Sequence, residues 1–131
     1  MKEIVTHITE GVKVSVTVKY MQDYSSPEQF HFVFGYNVTI QNNSDNTIQL
    51  LNRFWDIYDS CGITRKVEGE GVIGQRPILV PGQTHEYTSG CNFKSSIGKM
   101  DGCYEFIRIS DRKRFKVIIP EFTMIAPFKM N

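Results

Sequence analysis

No apolar run in this 131-residue chain approaches the roughly 20 residues that a membrane-spanning helix requires. The opening MKEIVTHITEG also lacks a basic stretch leading into an apolar one, as a secretory leader would have. No membrane span is expected, and a cytoplasmic location is the default. An excess of one charge sign is missing too: 15 Lys and Arg stand against 14 Asp and Glu, for a formal net charge of +1. Apart from a local cluster at Arg112, Lys113, Arg114 and Lys116, no field is available to attract a polyanion, so nucleic acid is not an expected partner. Cysteine is scarce and odd in number. Cys61, Cys91 and Cys103 cannot all pair within one chain and form no C-x-x-C, which excludes a disulfide scaffold or zinc ribbon and leaves free thiols as the expectation. Helical periodicity is absent as well, since no stretch of about 10 residues repeats its apolar positions every 3.6.

What is present is a globular composition, 40% hydrophobic and 22% charged, at a length that suits one domain over residues 1–131. The dominant period is two. In VKVSVTVKY, Val12, Val14, Val16, Val18 and Tyr20 alternate with Lys13, Ser15, Thr17 and Lys19, the pattern of a half-buried strand. FHFVFGYNVTIQN repeats it, with Gly35 marking a bulge or bend. TIQLLNRFWDIYD carries apolar residues on both faces and reads as a central strand. ITRKVEG, THEYTSG, CYEFIRI and RFKVIIPEF follow as strands, the last ended by Pro120, with CNFKSSIGKMDG as a connection and ISDRKR as a hairpin turn. Seven to nine short strands divided by turn signals predict an all-β, antiparallel β-sandwich.

The segment VEGEGVIGQRPILVPG contains GEGVIG, a literal G-x-G-x-x-G. A dinucleotide fingerprint needs a strand before it and a helix behind it, because the helix N-terminus holds the pyrophosphate. Pro77 and Pro81 exclude that helix, and no Gly-Lys-Ser/Thr follows to make a Walker A loop. Gly69, Gly71 and Gly74 are then turn formers in a long loop between sheets. The alternative is a concave nest of backbone amides for a phosphate over Gly69, Gly71, Val72, Ile73, Gly74 and Arg76, with Arg65 and Lys66 as supporting charges and Glu68 and Glu70 opposing it.

Other chemistry is sparsely provided. His7, His31 and His85 are scattered; Asp56 and Asp59, three apart on a strand, point to opposite faces. Cys91 has no neighbouring histidine in sequence to act as its base. No catalytic residues and no metal ligands are assigned, and no cofactor is expected; a divalent cation would lack a ligand cluster.

The spacing Gly-x-Gly-Val-x-Gly-x-x-Pro-x-Leu-x-Pro-Gly, met by Gly69, Gly71, Val72, Gly74, Pro77, Leu79, Pro81 and Gly82, is followed by Tyr87-x-Ser89-Gly90 and by Gly98-x-Met100-x-Gly102-x-Tyr104. Upstream, Leu50, Arg53, Trp55 and Asp59 fit a Leu-x-x-Arg-x-Trp-x-x-x-Asp segment. Together these resemble the signature of the ApaG family, also called CorD, from about Val12 to Pro120. Phe54 stands where many members carry histidine, which weakens any metal site on that strand. The resemblance implies a fibronectin type III-like or immunoglobulin-like sandwich. It also implies a genetic link to cobalt and magnesium homeostasis or efflux and, from larger proteins in which the domain is appended to others, a binding role. Two functions are carried forward. One is a non-catalytic protein-interaction module, with a protein partner or self-association. The other is a phosphate, pyrophosphate or nucleotide binder using residues 69–76, with weak hydrolysis as its extension.

Overall fold

The structure is a computed structural model and describes residues 3–127. Nine strands occur among them: β1 (Ile4–Thr9), β2 (Val12–Tyr20), β3 (Phe32–Asn42), β4 (Ile48–Asp59), β5 (Thr64–Glu70), β6 (Ile78–Leu79), β7 (Thr84–Phe93), β8 (Ile97–Arg108) and β9 (Arg114–Ile125). Between β2 and β3 lie two 3₁₀ turns, Gln22–Tyr24 and Pro27–Gln29. One sheet has the order β1-β2-β3-β7; the other has β5-β4-β8-β9, with β6 beside β4. Every strand pairing is antiparallel.

Period-two patterning builds the interior. Val12, Val14 and Val16 of β2 and Phe34, Tyr36, Val38 and Ile40 of β3 are buried on one inner face; Leu50, Trp55 and Ile57 of β4, Met100, Tyr104 and Phe106 of β8 and Val117, Ile119, Phe122 and Met124 of β9 are buried on the other. Trp55 joins the two layers: its ring meets Tyr36 edge-on at 5.6 Å and Phe122 at 5.9 Å. Such pairs add about 0.5–1.5 kcal/mol each beyond area burial. Chain and pattern together make an antiparallel β-sandwich of the fibronectin type III and immunoglobulin-like kind, and β4 is central to its sheet, flanked by β8 on one side and β5 and β6 on the other.

Four local expectations are corrected. β1 was not foreseen; it pairs in register with β2, Ile4 opposite Thr17 through Thr9 opposite Val12. The CNFKSSIGKMDG connection shrinks to residues 94–96, because β7 continues to Phe93 and β8 starts at Ile97. Its glycines serve strand packing, not a turn: a Cβ at Gly98 would lie 2.5 Å from the Phe93 ring. Pro120 does not end β9. The β8–β9 register shifts between Met100 and Gly102, with Met100 opposite Phe122 and Gly102 opposite Ile119, so Pro120 sits in a bulge, where a missing N–H costs no ladder bond. Gly35 makes no bulge, since the β2–β3 and β3–β7 registers run straight through it.

Candidate functional site: an arginine-lined cleft at the sandwich edge

The glycine motif ends β5 and starts a tight reversal. Val72 N–H donates to Gln75 O at 2.8 Å and Gln75 N–H returns to Val72 O at 3.0 Å. Between them Ile73 and Gly74 have φ of 48° and 70°, the two left-handed positions of a type I′ turn. Gly71 N–H donates to Leu51 O at 2.8 Å. The amides of Gly71, Val72 and Gln75 are therefore spent on carbonyls, and only those of Ile73 and Gly74 stand at the tip. Val72 is buried in the core while Ile73 is exposed. Arg76 turns back onto the loop, donating from Nε to Leu51 O at 3.1 Å and pairing with Glu70 at 3.4 Å.

Arg65 and Lys66, adjacent on a strand, must point to opposite faces. Lys66 pairs with Asp56 on the outer face at 3.2 Å. Arg65 goes inward, donating from Nη2 to Asn92 O of β7 at 2.8 Å and approaching Cys91 Sγ at 3.4 Å. The structure thus divides the predicted supporting charges: Lys66 lies on the outer face, and Arg65, still exposed, reaches across the sandwich edge to β7.

The residue that sequence reasoning left without a role is Arg53. It alternates with Trp55 and Ile57 on the inner face of β4, and it lies opposite Gly69 in the β4–β5 register. Its Nη1 donates to Glu70 O and to Gly71 O, each at 3.0 Å. A Cβ at Gly69 would lie 2.7 Å from Cζ, Nη1 and Nη2 alike, so the guanidinium lies flat over that glycine. The signal in the sequence was a lone arginine in phase with buried aromatic and aliphatic residues.

Arg53 and Arg65 face one cleft of about 220 Å³ between the β5 edge of one sheet and the β7 edge of the other, with Tyr36, Ser89 and Asn92 among its walls. No Asp or Glu lines it, and among the described residues neither arginine is in an ion pair. Burial pushes the Tyr36 hydroxyl above the ordinary tyrosine range, with Ser89 and Arg53 pulling against it. Burial likewise raises the Cys91 thiol, only partly offset by Arg65, which keeps it protonated and a poor nucleophile at neutral pH. Deeper in, the hydroxyls of Tyr87 and Tyr104 hydrogen-bond to each other across the two sheets. Among the described residues no group of three or more His, Cys, Asp or Glu is placed to hold a metal ion, and no helix is long and apolar enough to cross a membrane.

The protein is thus a two-sheet antiparallel sandwich whose glycine motif braces an arginine at an open edge. Comparison with known proteins gives it a family: the ApaG domain matches residues 22–108, and the chain belongs to that family. It is 41% identical over 120 residues to Protein ApaG of Brucella canis and, equally, to Protein ApaG of Brucella anthropi, covering 92% of either chain. Among solved structures, that of an ApaA protein from Bordetella pertussis superimposes with a TM-score of 0.86 at 40% identity, covering 90% of this chain and 95% of the other. A second solved structure gives a TM-score of 0.82 at 33% identity over 89% of this chain and 88% of the other.

Proposed function

We propose that this chain is a non-catalytic protein-interaction module that receives an extended segment of a partner protein along the free edge of β7. The observation that carries this is a difference between the four sheet edges. β1 and β9 lie against each other, with Ile118 N–H donating to Thr9 Oγ1 at 3.1 Å, and β9 is further broken by its bulge at Pro120. β5 is studded with Arg65, Lys66, Glu68 and Glu70, a common way of blunting an edge. β7 presents ten residues, THEYTSGCNF, without proline, lysine, arginine or bulge.

Its free side is known from two bonds. Asn42 N–H donates to Gln83 O at 3.0 Å, so odd-numbered positions of β7 bond to β3 and even-numbered ones face outward. Asn92 O, at an even position, is accordingly the one reached by Arg65. The N–H and C=O groups of Glu86, Thr88 and Gly90 are left for an incoming strand. The link to cobalt and magnesium homeostasis implied by the family then runs through the partner. A nucleotide or pyrophosphate held by residues 69–76 has less behind it, because the amides of Gly71, Val72 and Gln75 are already bonded to carbonyls.

Affinity capture from native extract, run with the wild type and with Thr88→Pro, tests the proposal when the captured protein is then mapped by NMR. A partner that shifts the amides of Glu86, Thr88 and Gly90 and is lost with the variant supports it. A partner that shifts another face and still binds the variant sinks it, as does self-association alone through β7 in sedimentation.

A further inference from the structure

We propose that the cleft between β5 and β7 is a carboxylate site, filled by an acidic side chain of the strand that adds to β7. This rests on the β7 reading and names the chemistry of the partner. Arg53 stands half-buried on the inner face of β4, in phase with Trp55 and Ile57. Arg53 uses one terminal nitrogen on two carbonyls and has no carboxylate. Arg65 reaches over the same gap and has none either. Two guanidinium groups therefore converge on a space lined by no acid, in a chain whose net charge is only +1. That local imbalance is what planar, bidentate recognition of a carboxylate requires.

The position of the cleft selects the source of the carboxylate. Ser89 and Cys91, odd positions of β7, turn their side chains inward and line it. A strand added beyond β7 continues the sheet, and every second side chain of that strand points inward at the same level. A side chain opposite Ser89 or Cys91 would enter between Arg53 and Arg65. The volume fits one carboxylate side chain and not a nucleotide.

Two probes separate the site from the strand. Propionate, the size of a glutamate side chain, is titrated against the protein while the Nε–Hε signals of Arg53 and Arg65 are followed by NMR. Both are expected to shift in the wild type and the Arg53 signal to shift less in Arg65→Gln; no shift in either overturns the carboxylate site. Inorganic phosphate, run in parallel, is expected to bind more weakly, and tighter binding than propionate would overturn the carboxylate assignment in favour of a phosphoryl group. Short Thr/Val strand peptides carrying one central Glu or Gln are then compared. The Glu peptide is expected to bind about tenfold tighter, with the ratio falling to near one in Arg65→Gln and both peptides lost in Thr88→Pro. Equal binding of the two peptides, both lost in Thr88→Pro, would overturn the inference and leave the β7 reading standing. Propionate shifts with no peptide binding would instead overturn the strand as the source, and the β7 reading with it.

Discussion

The guanidinium of Arg53 rests on the α-carbon of Gly69, its cross-strand partner, in a space where any Cβ would lie 2.7 Å from Cζ and both terminal nitrogens. That contact gives the glycine motif a different meaning at each of its three positions. Gly69 is a platform for an arginine. Gly71, at φ 60°, lies close against the Gln75 carbonyl, with which a side chain would collide, and Gly74, at φ 70°, completes the turn in open space.

Alanine at the three positions should therefore separate by mechanism. Gly69→Ala displaces only the flexible end of Arg53, costing the bonds to Glu70 O and Gly71 O, about 1–2 kcal/mol. Gly71→Ala meets backbone in a left-handed conformation and should cost about 3 kcal/mol or more. Gly74→Ala carries only the left-handed penalty of about 1 kcal/mol, and Gly74→Asn should recover part of it. Urea denaturation of the three variants checks the order; a Gly69→Ala loss equal to that of Gly71→Ala would show that Arg53 cannot move.

These roles explain what could be read from the sequence. Most strands and the sandwich follow from period-two alternation, and the central place of β4 from apolar residues on both of its faces, all of which is local; β1 (Ile4–Thr9) carries no such signal. Pairing Arg53 with Gly69 depends on β4–β5 register, which nothing local sets. The glycines at 69, 71 and 74 fit a turn and, as the alternative, a nest, because glycine density is the same for both; the destination of each N–H is what distinguishes them. Gly98 and Gly102 were misread as loop for a related reason. A Cβ at Gly98 would collide with the Phe93 ring and one at Gly102 with Phe54 O, so they are glycines enforced by packing inside a strand. Pro120 was read as a stop because the bulge that accommodates it is invisible without its partner strand.

Tyr87 and Tyr104 should behave as a coupled pair. Tyr104→Phe leaves the Tyr87 hydroxyl without its buried partner and should cost about 1 kcal/mol, whereas the double Phe variant should be nearer neutral. Burial raises the hydroxyl pKa of both, and of Tyr36. A phenol that keeps its proton longer in the folded chain contributes stability that is full below the unfolded value near ~10 and falls as pH rises beyond it. Alkaline titration followed by tyrosinate absorbance and circular dichroism should show ionisation of these phenols coinciding with unfolding. Early ionisation of all six tyrosines in a folded chain would contradict the packing.

Asp59 fixes the end of β4 to the β7–β8 turn. Its carboxylate accepts from Ser95 Oγ at 2.5 Å, Lys94 N–H at 2.7 Å and Cys61 N–H at 3.2 Å. Burial pushes its pKa up, but these donors outweigh burial and hold the carboxyl below the usual range. A depressed carboxylate contributes stability that is present above the unfolded value near ~3.9 and is lost as pH falls through the folded one. Asp59→Asn should lower stability at neutral pH by about 1–2 kcal/mol and flatten the acid limb of the stability profile. An unchanged acid limb would assign that limb to other carboxylates.

Proline substitution tests which side of β7 is free. Thr88 is an even position, so its N–H faces away from β3, and Thr88→Pro removes no ladder bond; the cost should stay within about 1 kcal/mol, as for proline on an edge strand. Ser89 lies opposite Tyr36 at an odd position, where the N–H belongs to the β3–β7 ladder. Ser89→Pro should cost about 3 kcal/mol or more, from the lost bond and the clash of the ring with the paired backbone. Native-state hydrogen exchange gives the same contrast without mutation: the amides of Glu86, Thr88 and Gly90 should exchange rapidly, and those of Tyr87, Ser89 and Cys91 only with larger openings. Slow exchange at Thr88 and Gly90 in the isolated protein would mean that the edge is already covered, most simply by a second copy of the chain, and the partner strand would then have to displace it.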